Sequence, residues 1–315
     1  MLHERRDFPD LLVTVGEVTG TNPALVEKDY WVTEALRVVA AGYSAGVVFK
    51  GGTSLSKGWG LIQRFSEDVD LLIRQDGTAG DGRNARDRYM KEIEAAVGET
   101  DGLEPVAEGA RSERGISRTV IFAYEPRTAL LEGLRPTIIL EMGIRGGDHP
   151  TAQRAIRSIL AVALDEVEGE VEDETLAPFE MTVLHPRRTL VEKLFALNSA
   201  CELWVEGRET ALQRHGRHLY DTYFLLGEDD VAVFVGSEEY LALIAEIDEF
   251  GREYFPRDHR SPAKMRFATS PALAPPEDLL LAIADDYSRS EFLFYGDAPD
   301  LEAIYRRIDG AREQM

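Results

Sequence analysis

The chain is short of cysteine and of positive charge, and it has no long apolar run. Cys201 is its one cysteine, so no disulfide can form within the chain and a reducing compartment is its natural setting. No stretch approaches the ~20 apolar residues that a membrane span needs. The start, MLHERRDFPDLLVTVGE, mixes charges into short apolar patches and has no secretory h-region. These absences predict a cytoplasmic protein without a membrane partner. Lys and Arg number 35 against 57 Asp and Glu, for a net charge of -22. Phosphate backbones attract cations, so bulk nucleic acid repels such a body and non-specific DNA binding is not expected. A local basic groove stays open, because salt confines fields to roughly 8 Å. Neither a Walker pattern nor G-x-G-x-x-G is found, which argues against P-loop and Rossmann readings. No internal repeat or low-complexity tract is evident.

What is present suits a globular protein. At 315 residues the chain can hold one large domain or two ordinary ones. Asn22-Pro23 reads as a helix start, and Leu25, Val32, Leu36 and Val39 follow at helical spacing. Asp29 falls on that stripe and needs a partner; a basic side chain of the second domain is expected. GVVFK and VDLLI read as strands, TSLSKGWGLI as a short helix, and residues 84–97 as a longer one stopped by Gly98. TVIFAY and TIILEMGI read as strands able to pair antiparallel. The first half therefore predicts an α/β or α+β sheet domain. Beyond about residue 180 the patterns are helical, from PRRTLVEKLFALNSACELW to PDLEAIYRRIDGARE. The expected division is 1–180 and 181–315, with the acidic stretch Leu164 to Glu180 as connector.

The stretch FKGGTSLSKGWGLIQRFSEDVDLLI carries the chemistry. Asp68 and Asp70 on one strand point to the same face, with Cα atoms roughly 6.6 Å apart. Two such charges repel unless a cation lies between them, which suits Mg²⁺, or Mn²⁺ in its place. An isolated D-x-D is more often a pair of solvated strand-end acids. Gly51 and Gly52 allow a close backbone approach, and Thr53, Ser54 and Ser56 supply hydroxyls at a helix amino terminus, a setting for phosphate. Lys57 adds charge one turn later. Alone, GGTS is more often a plain strand-to-helix turn. Together, a phosphate cradle and a metal-binding acid pair describe a nucleotidyl-transfer site acting on an NTP.

These residues, with LVEKDYWVTEAL upstream, resemble the AbiEii family of nucleotidyltransferase toxins, relatives of the MenT toxins. The resemblance implies a minimal, DNA polymerase β-like nucleotidyltransferase domain followed by a mainly helical domain. It implies an antitoxin partner and, from several MenT members, tRNA as the acceptor. By the match of RFSEDVDL it implies Asp68 and Asp70 as metal ligands and Ser66 as an active-site hydroxyl, one whose phosphorylation silences some relatives. GGTSLSK puts Gly51, Gly52, Thr53, Ser54 and Lys57 near the nucleotide. RRTLVEKLFAL supplies Lys193, and RHGRHLYDTYFLL supplies Asp221.

The residues themselves leave alternatives. Lys193 shares a helical face with Leu190 and Leu197, so it either binds a triphosphate oxygen or snorkels at the surface. Asp221 either orients Lys193 or the incoming hydroxyl, or pairs with a basic neighbour at 214–218. Glu141 is either a third carboxylate facing Asp68 and Asp70 or an exposed strand acid. His215-x-x-His218 reads as an exposed basic helix in preference to a zinc site. Arg187, Arg188, Lys193, Arg208, Arg214 and Arg217, with His185, His215 and His218, offer a place for RNA despite the acidic whole. The expected function is Mg²⁺-dependent transfer of NMP to the 3′ end of tRNA. Transfer to a protein hydroxyl and a catalytically lapsed binding module are the alternatives.

Overall fold

The computed structural model describes residues 1–66, 68–167 and 173–315. The chain forms two compact units, one of Met1–Gly60 with Phe65–Leu184 and one of Leu61–Arg64 with His185–Met315. A single cut near residue 180 misses two features. The last strand of the first unit runs on to Leu184, and four residues just ahead of the D-x-D strand belong to the second unit.

In the first unit, α1 (Phe8–Thr19) and α2 (Pro23–Tyr43) precede β1 (Val47–Lys50), α3 (Gly51–Lys57), β2 (Asp68–Ile73) and α4 (Gly82–Gly98). Then come β3 (Glu104–Glu113), β4 (Ser117–Ala123), β5 (Thr137–Gly143), β6 (Thr151–Ile156), α5 (Ile159–Val167) and β7 (Phe179–Leu184). Asn22 caps α2 as its side chain predicts, accepting a hydrogen bond from the Ala24 N–H at 2.9 Å. The expected connector opens with the end of α5, and its middle, residues 168–172, lies outside the described residues.

The strands form a mixed sheet in the order β3-β4-β5-β2-β1-β7-β6. β4 and β5 pair antiparallel along their full lengths, as their sequences suggest. β2 runs antiparallel to β1 and parallel to β5. Residues alternate faces along each strand, and the alternation here is clear. Phe49, Val69, Leu71, Phe122, Ile138, Leu140, Met181 and Val183 enter one core with Tyr30, Leu36, Met90 and Ile93 from the helices. The other face carries Asp68, Asp70, Glu141, Thr119 and Gln153, all at least partly exposed. One helix-covered face and a second face, open at the acids but burying Val48, Leu72 and Leu184, follow from that period-two pattern.

The second unit is helical: α6 (Pro186–Val205), α7 (Gly216–Leu225), α8 (Asp229–Phe234), α9 (Glu238–Tyr254), α10 (Glu277–Ser288) and α11 (Leu301–Arg312). Ser237 and Asp300 cap α9 and α11 by accepting from the Tyr240 and Ala303 N–H groups. RETALQRHGRHLYDTYFLL is not one helix. A short 3-10 turn over Glu209–Leu212 precedes α7, and Arg214 between them has φ +68, a left-handed value that breaks a helix. Arg64 joins this unit through an isolated bridge to Phe294. Among the described residues no helix is long and apolar enough to cross a membrane.

Candidate active site

β1 hands over to α3 at Gly51, whose φ of +77 suits glycine. A Cβ there would lie 2.0 Å from the Oδ2 atom of Asp70, so the missing side chain leaves room for that carboxylate. The bend is also tied to the D-x-D strand, because the Thr53 hydroxyl donates to the Asp68 carbonyl at 2.6 Å. The Ser54 hydroxyl donates to the Gly51 carbonyl at 2.9 Å and that of Ser56 to the Thr53 carbonyl at 3.1 Å. These hydroxyl protons are therefore held by backbone carbonyls and do not point outward as donors. The donors left at the start of α3 are peptide N–H groups, since Lys50 at the N-cap makes no side-chain cap.

Lys57 is buried rather than presented to solvent. Its ammonium lies 2.7 Å from Asp29 Oδ1 and 2.6 Å from the Thr33 hydroxyl. Asp29 also accepts from the Ile159 N–H at 2.7 Å. The expected partner of Asp29 in the second unit is thus replaced by Lys57 of the first. The physical reason is local: α2 and α3 both lie on the helix-covered side of the sheet, where a buried carboxylate takes the nearest ammonium.

The register sets out the open face. Lys50 pairs with Asp70 and Asp70 with Glu141, and Asp68 pairs with Ile139. Opposed residues share a face, so Lys50, Asp70 and Glu141 form one transverse row with Asp68 beside it. Ser66 is half-buried, two residues ahead of Asp68. Lys50 makes no ion pair among the described residues. Sequence reasoning passed over it, and the only signal was its position directly before the glycines.

The donor set bears on the implied metal. Among the described residues no group of three His, Cys, Asp or Glu is gathered to hold an ion by protein ligands alone. Two aspartates on one strand face, with Gly51 opening space at Asp70, fit an ion of the Mg²⁺ type. Such an ion takes one or two carboxylates and completes its shell with water and phosphate.

Lys193 and Asp221 belong to the second unit. Asp221 is wholly buried, with Arg64 forking onto it at 2.6 and 2.7 Å and the Lys193 ammonium 2.5 Å away. Burial works to raise the Asp221 carboxyl, but Arg64 and Lys193 outweigh it and hold the group below the ordinary carboxylate range. Burial pulls Lys193 down, partly offset by Asp221. Lys193 is thus no snorkelling surface lysine. The main partner of Asp221, Arg64, lies outside the basic run expected to supply it.

Two further expectations change. α7 is not an exposed basic helix: Leu219, Tyr220, Asp221, Thr222 and Leu225 are buried, and His218 Nδ1 lies 3.4 Å from the Lys193 ammonium. Nor do the basic residues of the second half form an open patch. Arg187 pairs with Asp230 and Glu239, Arg188 with Glu192 and Glu246, and Arg208 with Asp258. The many acids of this chain neutralise those arginines locally.

A family model described as nucleotidyl transferase AbiEii toxin, type IV toxin-antitoxin system, matches residues 34–307. The chain belongs to the AbiEii nucleotidyltransferase toxin family. As an AbiEii protein it is a nucleotidyltransferase. Its fold is like that of MenT4, a nucleotidyltransferase toxin of Mycobacterium tuberculosis, with a TM-score of 0.53 over 96% of this chain and 98% of the other. At 17% identity that likeness speaks to fold. No protein of curated function matches this AbiEii chain.

Proposed function

We propose that the open sheet face transfers a nucleoside monophosphate from an NTP to the 3′ hydroxyl of tRNA and releases pyrophosphate. The observation that carries this reading is the contact of the Gly51 bend with the Asp70 carboxylate, which joins a nucleotide cradle to an acid pair. Asp68 and Asp70 would hold a divalent metal, and that ion, when bound, neutralises triphosphate charge and lowers the pKa of a nearby hydroxyl. The N–H groups of Gly52, Thr53 and Ser54 take phosphate oxygens at the start of α3, and Gly51 admits them. Lys50 adds positive charge on the same face. Lys57 positions the bend through Asp29. The acceptor oxygen forms a bond to the α-phosphorus while the bond to the β-phosphate oxygen breaks. Glu141, in the row beside Asp70, takes the acceptor proton in this reading. Ser66 lines the approach to Asp68. Lys193 and Asp221 are assigned to the same reaction by the family resemblance alone. A cognate antitoxin restrains the activity.

The test uses NTPs labelled at the α-phosphate, Mg²⁺, and separate pools of tRNA and cell protein. Label is expected on tRNA, and Asp70→Ala should lower its incorporation at least about a hundredfold with an unchanged thermal melt. Undiminished transfer by Asp70→Ala removes the metal assignment. Label on protein alone selects the protein-hydroxyl reading, and NTP binding without transfer selects the lapsed module.

A further inference from the structure

The acid-rich chain gathers arginines around the β3–β4 hairpin. Gly115, in its turn, has φ +64, and a Cβ there would meet the Arg83 carbonyl oxygen at 2.1 Å. The turn therefore sits directly on the first residues of α4, and Arg86 Nε donates to the Gly115 carbonyl at 3.3 Å. Three of the nearby acids are already paired. Asp87 pairs with Lys91 and Arg118, Glu94 with Arg118, and Glu113 with Arg145. Arg83, Arg111 and Arg114 are exposed and make no ion pair among the described residues.

Register connects this cluster to the carboxylates. Arg111 pairs with Thr119, Thr119 with Glu141 and Glu141 with Asp70. Arg111 therefore lies in the same transverse row as Asp70, on the same face, three strands away. At strand spacings of ~4.8 Å the distance is roughly 14 Å. Lys50 and the Gly51 bend flank β2 from the β1 side, whereas β5, β4 and β3 extend from the other side.

We propose that Arg111 and Arg114, with Arg83 behind them, bind phosphodiester groups of a polynucleotide acceptor and lead its 3′ end along the open face to Asp70. This rests on the nucleotidyl-transfer reading to tRNA and adds to it the surface that receives the acceptor and the side of entry. Guanidinium groups without acidic partners suit phosphate oxygens in geometry and charge. An acceptor entering over β3 and a triphosphate held at the β1–α3 bend approach Asp70 from opposite sides. In-line displacement at phosphorus asks for that arrangement.

The test measures tRNA binding by the full chain, in the Asp70→Ala background, across a range of salt concentrations, with the tRNA KM of the otherwise wild-type protein alongside. Each phosphate contact contributes about 0.7–0.9 to the salt slope. Arg111→Ala with Arg114→Ala is expected to lower the slope by about 1.5, to raise the tRNA KM about tenfold or more, and to leave the NTP KM unchanged. The paired lysine variants, Arg111→Lys with Arg114→Lys, should keep most of the slope, which separates charge from folding. Arg6→Ala, removing an exposed arginine ahead of α1, should change nothing. An unaltered slope and tRNA KM in the double alanine variant, while Asp70→Ala still abolishes transfer, overturns the docking surface and leaves the reaction standing. Transfer surviving Asp70→Ala overturns the placement of the reaction at Asp70, and with it the path that ends there. Label on protein alone overturns the polynucleotide acceptor.

Discussion

A methyl group at position 51 would stand 2.0 Å from Asp70 Oδ2 on a residue with φ +77, so Gly51→Ala meets two penalties at once. The left-handed backbone costs about 1 kcal/mol for a residue with a Cβ, and the clash displaces a carboxylate proposed to hold metal. Gly51→Ala is expected to lower the unfolding free energy by about 1–2 kcal/mol and transfer at least tenfold. Urea unfolding and labelled-NTP transfer check the two effects, and full activity would deny the Gly51–Asp70 contact a role. That Gly51 lies beside Asp70 was legible because a glycine pair and an alternating acid pair lie close together in the chain. Arg64 was not. Its partner Asp221 is 157 residues away, and nothing in RFSEDVDL tells a buried arginine from a solvated one.

The elements that sequence located well were those with a cap or a strict period. α2 begins where Asn22-Pro23 predicts, and β4 meets β5 as two adjacent β-rich runs should. β3 and β6 were missed because their residues are largely exposed or mixed, which leaves no apolar alternation to detect. α3 was placed, but its anchor was not foreseen. Lys57 and Asp29 are both buried and form an ion pair at 2.7 Å, so removing one partner strands the other's charge. Lys57→Met is expected to cost about 3 kcal/mol and to loosen the bend that carries Gly51 and Thr53. The double variant with Asp29→Asn should recover part of that loss, giving a coupling of about 1–3 kcal/mol in urea unfolding. Additive losses would mean that the pair does not hold α3.

At the scale of the whole chain, a net charge of -22 explains why charge counting along the second half misled. An arginine-rich helix means an open basic surface only where acids are scarce, and here carboxylates from α6, α8 and α9 close on Arg187 and Arg188. The same enclosure sets how the second unit responds to acid. Burial, then the Lys193, His215, Arg217 and Arg64 charges, push His218 well below its ordinary value of 6.5. In that situation the unfolded chain binds a proton that the folded chain refuses. Stability therefore falls as pH drops below 6.5, by at most about 1.4 kcal/mol per pH unit for this group, and levels off at the folded value. Asp221 acts lower down. Its stabilisation is fully present above 3.8 and is lost only as pH falls through its depressed folded value. Glu27 and Glu34, raised chiefly by burial, act in the opposite sense as pH approaches 4.5. Comparing the wild type with His218→Gln isolates the histidine contribution. Between about pH 7 and 5.5 the wild type should lose about 1 kcal/mol more unfolding free energy than the variant. Parallel pH profiles would show that His218 protonates as readily in the folded chain as in the unfolded one, and the enclosure of the Arg64–Asp221–Lys193 cluster would then have to be looser than its distances imply.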